Sequence, residues 1–186
     1  MRLEDLFATV PMATDDAYAA FDAAGAVEPD FMIGSWRGAE LPTGHRLDGW
    51  LGASGWWGKQ FVNTETVHPL LFLNRDKSAL WAFNPGFAPL ELALRMPLPS
   101  PPRVHSLGGL VAALRPIVRT KKPRARLRTT RFRGQDTATM IYDQLPVNDV
   151  FRRIADNVVL GMMDLRGSAQ PYFFVLQRDE SLPVLL

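Results

Sequence analysis

The sequence predicts a mainly β protein, an antiparallel barrel preceded by N-terminal helices. Three observations carry that expectation. From Met32 onward, short apolar runs are broken by glycine, proline and polar pairs, giving about eight to ten strands. Four of the five tryptophans fall in Phe31–Trp57, FMIGSWRGAELPTGHRLDGWLGASGWW. That stretch opens with Gly34-Ser35-Trp36-Arg37-Gly38, where glycines on both sides let backbone approach a large aromatic closely. A tryptophan so placed can close one end of a barrel, and Trp36 is the expected plug.

The elements follow in order. Arg2–Val10 reads as a short helix with Leu3, Leu6, Phe7 and Val10 on one face, stopped by Pro11. Thr14 is a candidate N-cap, Asp15 and Asp16 suit a helix N-terminus, Ala17–Ala24 are good helix formers, and Gly25 can end the helix. This helix is expected across one end of the β structure. Met32–Leu41 is the first strand, and Trp50–Leu51 and Trp56–Thr64 bracket a glycine-rich loop. Leu70–Leu73 and Ala79–Phe83 read as a hairpin. The proline-rich stretch that follows reads as a crossover with an irregular strand at Leu90–Met96, then a helix over Leu107–Leu114 ended by Arg115-Pro116. Ala125–Arg133 and Thr137–Tyr142 are strands, Val147–Ile154 a short helix with Asn148 or Asp149 near its start, and Val158–Asp164 with Tyr172–Arg178 a closing hairpin. The reading is one domain over residues 1–186: a helical segment 1–30, a first half 31–84, a basic crossover 85–124 and a C-terminal β half 125–186.

Composition narrows the function. With 186 residues and 47% hydrophobic content, the chain can bury one substantial core. It contains no cysteine, which excludes disulfides, thiolate metal sites and cysteine nucleophiles and suits a reducing compartment. The start, MRLEDLFATV, lacks the basic and apolar order of a signal peptide, and no window reaches the length of a membrane span, so a cytoplasmic protein is expected. Residues 103–133 hold ten Arg or Lys and no acid. Phe132 is the lone aromatic among them, which gives no stacking platform for nucleic acid. Arg126, Arg128 and Arg131 read instead as the exposed face of a strand, with other arginines free to pair with the acidic N-terminal helix. No specific nucleic-acid partner follows, and a homodimer is compatible with the sequence.

Several residues also carry a family resemblance. Asp22, Phe31, Met32 and Gly34-Ser35-Trp36-Arg37-Gly38, with Trp57-Gly58-Lys59 and His68-Pro69-Leu70-Leu71-Phe72, resemble the GXWXG domain. Ala125-Arg126-Leu127-Arg128, Arg133-Gly134, Thr137–Asp143, Asp149, Phe151-Arg152, Leu160-Gly161, Asp164 and Phe173–Leu176 resemble its companion, a domain of unknown function (number 4334). The resemblance spans roughly residues 14–178 and implies no established activity. The G-x-W near the first strand is also similar to that of lipocalins and other calycin barrels, including fatty-acid-binding-protein-like ones. That likeness implies a barrel binding an apolar small molecule or lipid.

The candidate site residues follow from strand alternation and side-chain chemistry. Alternation after Gly58 puts Trp57, Lys59 and Phe61 on one face, and an aromatic face with one cation suits an amphipathic, fatty-acid-like ligand. Trp57, Phe61, Phe72 and Tyr142 are the expected walls, with Lys59 and His45 as polar contacts. The alternative is an isomerase or hydrolase acting on a hydrophobic substrate. It would use Asp143 or Asp164 with Tyr142 or a histidine: were strands 137–143 and 158–164 neighbours, the two carboxylates could meet and one pKa would rise. Asp149 reads as a helix cap. No H-x-x-x-H or H-x-H spacing occurs, so no metal or other cofactor is expected, and His68 is the one candidate haem ligand. No serine elbow, phosphate loop or dinucleotide fingerprint is present, and the sequence favours binding over catalysis.

Overall fold

A computed structural model of the chain describes residues 11–88 and 107–186. The readings of Arg2–Val10 and Leu90–Met96, and His105, lie outside those residues. Ten strands form one antiparallel sheet: β1 (Gly25–Ala26), β2 (Gly34–Leu41), β3 (Trp56–Phe61), β4 (Val67–Leu73), β5 (Leu80–Ala82), β6 (Ala125–Phe132), β7 (Gln135–Tyr142), β8 (Val147–Ala155), β9 (Val158–Leu165) and β10 (Tyr172–Arg178). Four α-helices and one short 3-10 turn (Pro85–Phe87) accompany them among the described residues: α1 (Thr14–Ala23), α2 (Pro29–Met32), α3 (Trp50–Ser54) and α4 (Gly108–Val118).

The hydrogen-bonded path runs β2-β3-β4-β6-β7-β8-β9-β10 and returns to β2, so eight strands form a closed ring in which each lies beside its neighbour in sequence. Hairpins make most of the corners. Arg133 and Gly134 both take positive φ (45° and 81°), the two-residue turn whose twist matches flanking strands. β5 pairs with the outer end of β4, and β1 adds to β8.

Alternation divides the side chains of the last strands between two cores. Phe151, Val159, Tyr172, Phe174 and Leu176 point into the ring, where they meet Trp36, Trp56, Phe61 and Phe72. Val150, Val158, Leu160, Met162, Phe173 and Val175 point outward. There α1 lays Ala17 and Phe21 over them, with Tyr18 edge-on to Phe173 at 5.6 Å. Helix α1 therefore covers an outer face, and not an end as the sequence suggested, because β8, β9 and β10 are apolar on both sides. Its Asp22 takes a bidentate ion pair from Arg133. The basic stretch is otherwise answered strand by strand, Arg126 by Asp143, Arg128 by Glu65 and Arg131 by Asp136.

One end of the ring is plugged. Trp36 is fully buried, and its indole donates to Met32 O at 2.8 Å. Helix α2 leads into β2 yet packs against β6 and β7, so it crosses this end of the ring. Arg178, from β10, lies over the indole with its guanidinium 4.4 Å from the ring centroid and donates to Phe31 O and Ile33 O. The expected first strand is thus shorter than Met32–Leu41, with Met32 spent on the plug.

The two glycines nearest Trp36 and Trp56 are fixed by contact. A Cβ on Gly38 would sit 2.0 Å from the Trp56 ring, and one on Gly58 would sit 1.9 Å from the backbone oxygen of Trp36. At Gly58 the β3–β4 register shifts: Trp56 faces Phe72 and Gly58 faces Leu71, so Trp57 is an extra residue. A second shift between Gly58 and Gln60 restores the ladder.

Two other readings change. Val147–Ile154 is strand β8, not a helix, and the loop after Gly49 holds α3. Helix α4 passes Pro116 to end at Val118, since proline in the last turn removes only one intrahelical donor.

Gly58→Ala should cost about 3 kcal/mol or more in urea denaturation, because the new methyl meets backbone that cannot turn aside. Gly109→Ala, in α4 with open space around it, should stabilise by up to about 1 kcal/mol. Equal effects would contradict the close β2–β3 contact.

Candidate functional site

Above the plug, the ring interior opens into a cavity of about 380 Å³. Its walls are nearly all apolar or aromatic, among them Leu51, Trp56, Leu70, Phe72, Met163 and Phe174. Leu47, Trp50 and Leu51 around α3, Val111 of α4 and Phe87 line its other end. Helix α3 is held there by Glu40, whose carboxylate accepts from the backbone N–H groups of Gly49 and Leu51 and from the Tyr172 hydroxyl. Burial pushes the Glu40 carboxyl up from its usual range, against those donors. A larger cleft of about 890 Å³ shares Trp56 and Phe72 and extends past Arg37, Trp57 and Lys77. The inner cavity contains the buried charge.

That charge is an ion pair. Lys59 Nζ lies 2.8 Å from Asp149 Oδ2, and the two residues are only 3% and 1% exposed. The ammonium also reaches Pro69 O at 3.3 Å and the Tyr142 hydroxyl at 3.4 Å. The rings of Trp56, Tyr142 and Phe174 surround it at 5.0–5.7 Å. Burial pushes the Asp149 carboxyl up, opposed by the charge of Lys59 and by Lys59 and Tyr142 as donors. Burial and the neighbouring Asp149 raise the Tyr142 hydroxyl well above the usual tyrosine value. Apart from the Lys59 contact at Oδ2 and the nearby Tyr142 hydroxyl, no well-directed hydrogen bond reaches the Asp149 carboxylate, and the buried indole nitrogens of Trp50 and Trp56 also lack acceptors.

The structure brings together Lys59, Tyr142 and Phe72 of the expected set. Trp57 lies on the outer face with Leu71, Leu80 and Ala82, and Trp56 takes the inner place, because the bulge reverses the parity of β3. Phe61 points inward but below the cavity, edge-on to Phe151 at 5.7 Å. His45 stands behind the wall, its ring 5.5 Å from that of Tyr172, bonded to Ser168 and to the backbone of Leu47. Asp143 and Asp164 do not meet: β8 lies between their strands, Asp164 is exposed and Asp143 pairs with Arg126 at 3.4 Å. Asp149 is the carboxylate that sequence reasoning missed. Read as a strand, Val147-Asn148-Asp149-Val150-Phe151 would have placed it on the same face as Phe151.

His68 is 1% exposed, and neither the cavity nor the cleft includes it. Both ring nitrogens lack partners, and burial holds its imidazole below the usual histidine value. Among the described residues no three His, Asp or Glu side chains converge as a metal site.

Lys59→Met should cost about 3–5 kcal/mol by stranding Asp149, whereas Lys59→Met with Asp149→Leu should recover most of that loss. A carboxyl with a raised folded-state pKa is least costly below the ordinary carboxylate range, and its cost grows as pH rises through the raised value. The single variant should therefore lose more stability, relative to wild type, at pH 8 than at pH 5. A pH-independent loss would contradict it. For His68 the sign is opposite: the unfolded chain takes up the proton first, so stability falls as pH drops below about 6.5. His68→Leu should reduce that acid sensitivity in thermal melts between pH 7 and 5, and an unchanged slope would count against a neutral buried imidazole.

Comparison with known sequences and structures agrees with this architecture. Residues 19–77 match the model of the GXWXG protein family, and residues 123–178 match a domain of unknown function (DUF4334). No curated protein matches the chain significantly. A crystal structure of a protein from Thermomonospora curvata is similar over 96% of both chains, with a TM-score of 0.68 and 28% identity. The matched segments follow one another along the chain, and they carry Lys59 and Asp149, one each.

Proposed function

We propose that the protein binds a small, largely apolar molecule inside a calycin-like barrel. The observation that carries this reading is the inner cavity: about 380 Å³ of nearly continuous apolar wall around one buried polar cluster. That size falls in the range of small-molecule sites, and a few polar groups among apolar walls is the composition such sites use to orient a ligand. The closed run of neighbouring strands and the Trp36 plug support the calycin-like comparison. Apolar volume favours a lipid-like or other hydrophobic ligand, and Lys59, Tyr142 and Asp149 would meet its polar end. The same three groups also suit acid–base chemistry on a bound substrate, the second reading, favoured by the raised carboxyl of Asp149.

N-phenyl-1-naphthylamine, a neutral dye that brightens in apolar surroundings, should bind the purified protein at one site. Val147→Phe, which fills the cavity from a buried wall position, should weaken the dye about tenfold or more while leaving the melting temperature within a few degrees. Binding unaffected by the filled cavity would place the dye elsewhere and defeat the reading. Native mass spectrometry of gently purified protein would show a retained ligand directly, and conversion of that ligand during incubation would favour the catalytic reading.

A further inference from the structure

The chemistry of the cavity's polar cluster goes further than its volume, and the inference rests on the binding reading above. The presence of a buried lysine suggests an anionic ligand such as a fatty acid. The geometry points to a different class: we propose that the cavity selects a neutral apolar alcohol or phenol, whose hydroxyl donates to Asp149 Oδ1, over a carboxylate anion of the same shape.

Three observations carry this. Lys59 is already answered, with Asp149 Oδ2, Pro69 O and the Tyr142 hydroxyl around its ammonium, so the pair is close to neutral as a unit. A ligand carboxylate reaching Lys59 would lie beside the Asp149 carboxylate in a desolvated space, where like charges repel strongly. Asp149 is 1% exposed, lines the cavity, and its Oδ1 accepts no well-directed hydrogen bond, with the Tyr142 hydroxyl as a neutral donor already near the carboxylate. A buried carboxylate oxygen left without a donor is costly, and a hydroxyl is the neutral group that satisfies it. Trp50 and Trp56 also line the cavity, and their buried indole nitrogens are donors without acceptors, available to a ligand oxygen that reaches them. Asp149 is thus a specificity-determining residue, and Lys59 its counter-ion.

Three probes of one shape test this: 2-naphthol, 2-methoxynaphthalene, which lacks the donor, and 2-naphthoate, which carries the charge. Tryptophan fluorescence and calorimetry at pH 7 would give their affinities for the full-length protein. 2-Naphthol should bind about tenfold or more tightly than either analogue, the gap that one charge-assisted hydrogen bond supports. Asp149→Asn, which frees the lysine charge, should invert the order and favour 2-naphthoate. Should that variant fail to fold, the Lys59→Met, Asp149→Leu protein removes both charges and should bind 2-naphthol and 2-methoxynaphthalene alike. Tightest binding of 2-naphthoate to the unmodified protein, or equal binding of naphthol and its methyl ether, would overturn the selection while leaving the binding reading intact. Failure of all three probes to bind would remove the binding reading itself, and this inference with it.

Discussion

The contact between β2 and β3 at Gly58 sets the rest of the molecule. No side chain fits where Gly58 passes the carbonyl of Trp36, and the chain takes one extra residue there. That single residue turns Trp57 outward and Trp56 inward, and it brings Lys59 to the interior beside Trp56. Gly38 on the facing strand then leaves the space that the Trp56 ring fills. The G-x-W-x-G pattern and the W-G-K pattern are thus two halves of one packing arrangement. One seats the plug and its neighbour, and the other reverses the alternation so that a cation enters the core.

Burying that cation demands a counter-charge, and the fold supplies it from the opposite half of the chain. Asp149 sits on β8, four strands from β3 in either direction around the ring, and Tyr142 on the neighbouring β7 borders the pair. A desolvated pair of this kind contributes little net stability against well-packed apolar residues, although losing one member is costly. In the proposed reading, the pair serves to orient a ligand in the apolar cavity and adds little to the core.

Much of the architecture is legible in the sequence, and the errors have physical causes. Strand and turn chemistry located β4, β5, β6, β7, β9 and β10, and the Trp36 plug followed from its flanking glycines. Strand β8 was misread because Val147, Val150, Phe151 and Ile154 fall at i, i+3, i+4 and i+7, the helix period. In the structure that spacing arises from a strand buried on both faces, Phe151 inside the ring and Val150 under α1. The same misreading hid Asp149 as a helix cap and made Asp143 and Asp164 look adjacent. The inward aromatic was misassigned as Trp57 because strict alternation has no means of signalling a bulge, although the glycine at 58 marks where one belongs. Lys59 stands out in the sequence because a cation in the aromatic strand WWGKQF is conspicuous whichever face it takes.

The closed ring has a consequence for how the chain acquires its structure. The seam that closes it, β2 with β10, waits on the last strand of the chain, and β10 also delivers the arginine that covers Trp36. During synthesis, the glycine-flanked tryptophan, Lys59 and the aromatic walls all emerge well before their partners. Most pairings are between neighbours in sequence and form early, but the β2 edge stays open until its one distant partner arrives. The early appearance of α1, with Asp15, Asp16 and Asp22 on its surface, gives that waiting half an acidic solubilising segment that later docks onto the strands made last.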